Sequence, residues 1–263
     1  MGPKRKSSSP YASTCRKKKG SKKETPIPLA IVADQENEED TTIGQNIIGS
    51  KDTSTENCMD RHVITGSHHK VWIVGSSLIV RAHKHAKNNT GGADLGLQSF
   101  GVAIRWAGKN GMTWEELYKS VHDIFLEEGP PQMLIIHCGA NNIGTMSVRK
   151  LRNFMKFTIS QIVKLMPCTL IVWSEMLPQL SWRYMVSNIA AEKARIRINS
   201  CIATFVISQK RGGGCIRYPD IKQETTKLFS DCVHLSELGN SLFVNTIQGG
   251  IYTFISSKAC IYP

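Results

Sequence analysis

From Lys70 onward the chain alternates short apolar segments with longer segments whose apolar residues recur every three or four positions. The short segments predict buried strands, and the longer ones predict amphipathic helices. Regular alternation of the two favours a largely parallel sheet covered by helices on both faces. We therefore expect an α/β fold with three layers, α/β/α, and a mostly parallel five-stranded sheet.

The predicted strands and helices fill residues 70–257. The strands cover residues 71–74, 101–106, 133–138, 169–173 and 215–218. One helix opens after Ser77, and the others cover residues 114–126, 147–166, 182–207 and 236–255. Residues 258–263 are expected to be a short C-terminal tail.

Residues 1–69 differ in composition from the rest of the chain. They are polar and almost free of aromatic residues, so they offer too little apolar surface to offset the entropy of ordering. Residues 1–23 hold nine basic and no acidic residues, whereas residues 24–70 hold nine acidic and three basic ones. We expect a disordered N-terminal tail that is first basic and then acidic.

Two interpretations fit the basic cluster from Lys4 to Lys23. Its two groups of basic residues, separated by a spacer, have the form of a bipartite nuclear-import signal. Alternatively, the cluster is an arm that contacts nucleic acid phosphates. Residues 71–263 carry a net charge of +9 themselves, which favours attraction to polyanions.

The sequence shows no membrane-spanning or metal-binding pattern. It lacks an apolar run of transmembrane length and an N-terminal apolar segment typical of a secretory signal. Its eight cysteines are scattered without the spacing of a zinc site. We expect an intracellular protein, nuclear or cytoplasmic, without a metal or cofactor; its oligomeric state is not predicted.

The segment Gly75-Ser76-Ser77 lies between the first predicted strand and the helix that follows it. Such a turn exposes a side chain at the carboxyl edge of a parallel sheet, where open α/β folds bind ligands. The helix N-terminus also favours developing negative charge there. A serine in this place is well suited to act as a nucleophile, although serine is also a preferred helix cap.

Three further segments follow or precede predicted elements in the same way. They are Gly111, Gly139-Ala140-Asn141-Asn142 and Asp231-Cys232-Val233-His234. With the Gly-Ser-Ser turn they resemble, in order, the four signature blocks of the SGNH/GDSL hydrolase family. The resemblance spans residues 70–257 and implies the flavodoxin-like SGNH hydrolase fold.

The same resemblance implies a Ser-His-Asp triad of Ser77, His234 and Asp231. His234 would take the proton of the serine hydroxyl, and Asp231 would orient the imidazole. The oxyanion hole would consist of the Ser77 and Gly111 N–H groups and the Asn141 amide. Each segment also has a structural interpretation: Gly111 and Asn141 as turn residues, Asp231 as a cap and His234 as a packed histidine.

Two positions depart from the family pattern. Ser76 and Asn142 stand where the family usually has aspartate. Neither position carries the nucleophile, the base, the residue that orients the base or an oxyanion donor. Both aspartates usually support the loops, so we expect their replacement to make these loops less precise and the reaction slower.

The residues and the resemblance together predict a serine esterase or deacetylase that acts on a small-molecule or lipid-like ester. The alternative is a weakly active or inactive SGNH-fold module that associates with nucleic acid. The combination of this domain with a lysine-rich arm also resembles hydrolase-like proteins encoded by some vertebrate retrotransposons, which implies an origin in a mobile element.

Overall fold

Strand β1, His69–Gly75, is an inner strand of a parallel sheet. The computed structural model describes residues 68–263 of the chain. Within them the sheet has six strands in the order β2-β1-β3-β4-β5-β6, and every neighbouring pair is parallel. The other strands are β2 Val102–Gly108, β3 Met133–His137, β4 Leu170–Ser174, β5 Gly214–Ile216 and β6 Ile261–Tyr262.

Five α-helices cover the two faces of this sheet. They are α1 Ser77–Lys87, α2 Trp114–Glu128, α3 Val148–Leu165, α4 Asn188–Ile207 and α5 Glu237–Ser256. Helices α2, α3 and α4 pack on one face, and α1 and α5 pack on the other. The predicted three-layer α/β/α fold with a parallel sheet is confirmed.

Strand β1 is buried on both sides because helices cover both faces. Trp72 and Val74 point toward α2, α3 and α4, whereas Val71 and Ile73 point toward α1 and α5. All four side chains are fully buried. Burial on both faces explains why the strand is an unbroken apolar run in the sequence.

Most predicted elements differ from the structure by one or two residues at their ends, and two differences are larger. The sheet has six strands rather than five, because residues 261–262, within the expected C-terminal tail, pair with β5. Helix α4 begins at Asn188 rather than at residue 182, since the Ser187 side chain accepts a hydrogen bond from the Ala190 N–H at 3.2 Å and caps it there. Residues 175–187 therefore form an irregular segment.

The register of the inner strands brings their carboxyl ends level. Gly75 lies beside Gly108 of β2 on one side and beside His137 of β3 on the other. The chain leaves β1 toward β2 through a helix on one face and reaches β3 through a helix on the other. The gap between β1 and β3 is therefore the switch point at which such sheets bind ligands.

The predicted basic cluster, and with it the import signal and the nucleic-acid arm, lies outside the described residues. In the part of the chain that the structure does describe, none of the helices has the length and apolar character needed to span a bilayer.

Candidate active site

The tight turn after β1 places Ser77 at the start of α1. Gly75 is needed there, because a Cβ atom at this position would lie 2.2 Å from the carbonyl oxygen of His137. The Ser76 side chain is buried and forms no capping hydrogen bond with α1. The side chain of Ser77 points instead toward the segment that precedes α5.

Three side chains predicted from the sequence lie in a continuous chain of contacts. The Ser77 Oγ atom is 3.0 Å from Nε2 of His234. On the other side of the imidazole, Nδ1 of His234 is 2.8 Å from Oδ2 of Asp231. With the Nδ1 proton donated to the carboxylate, Nε2 is free to accept the proton of the serine hydroxyl.

Asp231 is held by a tight turn of its own backbone. Its Oδ1 atom accepts hydrogen bonds from the N–H groups of Val233 and His234, both at 2.7 Å. Partial burial acts to raise the pKa of the Asp231 carboxyl, but these two bonds and the imidazole contact outweigh it and hold the pKa below its usual range. The carboxylate therefore stays charged beside the imidazole.

The three predicted oxyanion donors line one cavity next to Ser77. The N–H groups of Ser77 and Gly111 donate to no acceptor among residues 68–263. The Asn141 amide donates one hydrogen bond to the Met112 carbonyl at 2.9 Å, which leaves its second hydrogen for another acceptor. Gly111 has a φ of +74°, which disfavours other residues there.

Asn142 joins the two loops that carry these donors. Its Oδ1 atom accepts a hydrogen bond from the Trp114 N–H at 2.7 Å, at the start of α2. Its amide nitrogen donates to the Glu115 carboxylate at 2.8 Å. An aspartate here would keep the first bond but would place a second negative charge beside Glu115. In this chain, asparagine is thus the residue that suits the position.

The cavity beside Ser77 has a volume of about 480 Å³. Residues 179–184, part of the irregular segment before α4, form one wall, and Arg81 contributes to another. Arg81 was detectable in principle, since it lies four residues after Ser77 on the same helix face. Gln179, Trp182 and Arg183 gave no such signal, because their place depends on a segment without periodicity.

A second cavity lies apart from the one beside Ser77. The loop after α1, at residues 89–96, lines this second cavity of about 310 Å³ between α1 and α5. Across residues 68–263, the His, Cys, Asp and Glu side chains form no group of three or more that could hold a metal ion.

No protein-family model and no curated protein matches the sequence. Solved structures do match it, and they agree on the fold. A family 3 carbohydrate esterase from Clostridium thermocellum is 15% identical with a TM-score of 0.53, covering 70% of this chain and 96% of its own. A lipase/acylhydrolase from Enterococcus faecalis is 18% identical with a TM-score of 0.51, covering 70% and 95%.

A member of the lipolytic G-D-S-L family from Veillonella parvula is 12% identical with a TM-score of 0.50, covering 68% of this chain and 96% of its own. At these identities the likeness concerns the fold, and the predicted resemblance to the SGNH/GDSL hydrolase fold is confirmed.

Proposed function

We propose that this protein is a serine hydrolase of carboxylic esters, an esterase or deacetylase. The observation that carries the proposal is the contact chain from Asp231 through His234 to Ser77, which opens onto a cavity with three hydrogen-bond donors. Similarity in fold to solved esterases and acylhydrolases supports the same reaction class.

The proposed reaction proceeds through an acyl-enzyme. Ser77 Oγ attacks the acyl carbon while His234 Nε2 takes the hydroxyl proton, and the carbonyl oxygen becomes an oxyanion. The N–H groups of Ser77 and Gly111 and the Asn141 amide stabilise that charge. His234 then gives its proton to the departing alcohol. Water attacks the acyl-enzyme with the same base, releasing the acid and restoring Ser77.

A fluorophosphonate probe and a chromogenic acetate ester test this proposal. The wild-type protein should be labelled by the probe and should hydrolyse the ester, and Ser77→Ala should abolish both. Ser76→Ala is the matched control and should keep its labelling, because the hydroxyl within hydrogen-bond distance of His234 belongs to Ser77. A folded wild-type protein that is neither labelled nor active would contradict the proposal.

A second candidate function, association with nucleic acid, is favoured by the charge of α3. This helix carries five basic residues and no acidic one, and none of the five pairs with a carboxylate of residues 68–263: Arg149, Lys150, Arg152, Lys156 and Lys164. Such a surface suits phosphate contacts whose strength depends on salt.

Binding to a labelled single-stranded RNA across a salt series tests the second candidate. Affinity should fall steeply with salt, fall further in Lys150→Glu/Lys156→Glu, and stay unchanged in Ser77→Ala. Binding that is absent, or that does not respond to salt, would exclude it. The link to a mobile element and nuclear import through Lys4–Lys23 stay predictions.

A further inference from the structure

One wall of the cavity comes from the segment between β4 and α4. Gln179, Trp182, Arg183 and Tyr184 line it there. Trp182 is buried and holds the segment against the core, whereas Arg183 and Tyr184 are exposed. This wall faces whatever part of a substrate extends beyond the reacting carbonyl.

Gln179 is a mostly buried residue that lines the cavity. Only 6% of its surface is exposed. Its backbone carbonyl accepts a hydrogen bond from Gln223 Nε2 at 2.9 Å, whereas its side-chain amide has no hydrogen-bond partner among residues 68–263. The amide is not one of the fully buried polar atoms that lack a partner, so it is open to solvent. Since Gln179 lines the cavity, a bound molecule is in a position to supply that partner.

The charged residues that line the cavity are both positive. Arg81 and Arg183 line it, and within the described part of the chain no aspartate or glutamate does. Arg81 already pairs with Asp231: the Nη2 atom of Arg81 lies 3.8 Å from Oδ2 of Asp231. Arg183 forms no ion pair with any carboxylate of residues 68–263, so its guanidinium is available for a ligand.

We propose that the natural substrate is an anionic ester, one that carries a carboxylate beyond the scissile bond. This inference rests on the proposed function and specifies its substrate class. Arg183 binds the carboxylate through the paired N–H groups that guanidinium offers to planar anions. The Gln179 amide donates a further hydrogen bond, and Trp182 packs against the apolar body of the substrate.

Two matched pairs of chromogenic esters test this substrate class. The first pair is 4-nitrophenyl acetate with either a carboxylate or a carboxamide at ring position 3, which places the charge on the alcohol side. The second pair is the 4-nitrophenyl monoester of adipic acid and 4-nitrophenyl hexanoate, which places the charge on the acyl side. In at least one pair, kcat/KM should be roughly tenfold higher for the anionic ester, as expected for a charge-assisted hydrogen bond.

Variants of the cavity wall should change this preference. Arg183→Gln should bring the anionic-to-neutral ratio of kcat/KM close to one, and Arg183→Glu should invert it. Gln179→Leu should lower the ratio by a smaller factor. Arg197→Gln is the matched control: it removes one exposed guanidinium of α4 that lies outside the cavity, and it should leave the ratio unchanged. Added salt should reduce the wild-type ratio, because Arg183 is exposed.

The results separate this inference from the proposed function. Ser77-dependent hydrolysis with equal kcat/KM for both members of each pair would overturn the anionic substrate and leave the esterase intact. The same conclusion would follow from a preference that Arg183→Gln does not reduce. A folded protein that hydrolyses none of the four esters would overturn the esterase itself, and the substrate class with it.

Discussion

At the scale of single residues, one substitution tests the proposed role of Asn141 in the oxyanion hole. Its amide donates to the Met112 carbonyl and lines the cavity beside Ser77. Asn141→Ala should lower kcat by about 10²–10³ with little change in KM, because an oxyanion donor acts mainly in the transition state. Steady-state kinetics with an acetate ester measures this.

The control for Asn141→Ala is Asn153→Ala, an exposed asparagine of α3 that lies outside the cavity. It should keep the wild-type kcat. An Asn141→Ala enzyme with unchanged kcat would mean that the Asn141 amide serves only the turn.

The neighbouring Asn142 stands where the family usually has aspartate, and one substitution tests why asparagine suits this position. Asn142→Asp should lower the free energy of unfolding by about 1–2 kcal/mol, since it replaces a partly buried hydrogen bond to Glu115 by repulsion between carboxylates. Activity should fall as well, because repulsion from Glu115 would shift residue 142, which joins the loops that carry Gly111 and Asn141. Urea unfolding and kcat measure both effects.

The double variant Asn142→Asp/Glu115→Gln provides the control, because it restores a hydrogen bond between a carboxylate and an amide. It should recover most of the lost stability and activity. Additive losses in the double variant would show that the two side chains are not coupled.

At the scale of elements, helices α1 and α5 carry the two halves of the proposed triad. Ser77 begins α1, and His234 comes three residues before Glu237, the first residue of α5. The buried His85 of α1 joins the two helices: Nδ1 lies 2.8 Å from Glu237 Oε1, and Nε2 lies 3.2 Å from Ser241 Oγ. The Ser241 hydroxyl also donates a hydrogen bond to the Glu237 carbonyl within α5. Ser241, His85 and Glu237 thus form a second Ser-His-Glu set, which connects α1 with α5.

Removing this connection should affect catalysis and stability together. His85→Leu should lower kcat at least about tenfold with KM nearly constant, and loss of the contacts with Glu237 and Ser241 should cost about 1 kcal/mol of unfolding free energy. Kinetics and urea unfolding measure the two. Glu237→Gln should cost less, because that carboxylate is largely exposed. Full kcat in a destabilised His85→Leu protein would make the role of His85 purely structural.

At the scale of the whole molecule, a buried polar chain crosses the carboxyl ends of three neighbouring strands. Nδ1 of His137 in β3 lies 2.9 Å from Ser174 Oγ in β4, and that oxygen lies 2.5 Å from the Tyr218 hydroxyl after β5. Full burial lowers the pKa of His137 to about 4, although the contact with Ser174 acts in the opposite direction. The imidazole is therefore neutral in the folded protein at neutral pH.

This burial predicts a loss of stability in acid. In the unfolded chain His137 titrates near its ordinary pKa of 6.5, so between that value and about 4 the unfolded state binds the extra proton. The free energy of unfolding should fall through this window, by roughly 3 kcal/mol from this group. Urea unfolding at pH 7 and pH 4 measures the difference. His137→Gln should reduce it, and His122→Gln, at a half-exposed position of α2, should not; equal acid losses in both variants would contradict the assignment.

The sequence by itself determined the layered α/β fold, because the strands that bury both faces are unbroken apolar runs and the helices repeat their apolar residues at their own period. It also identified the segments that end at one edge of the sheet, since turn residues such as Gly111, whose φ is +74°, are required by the local backbone. The two-residue strand β6 and the late start of α4 were missed, because such short or capped elements have no periodic signal. Only the tertiary structure decided the neighbours of Gln179, Arg183, His85 and His137, since these contacts join residues from distant parts of the chain whose approach no local pattern encodes.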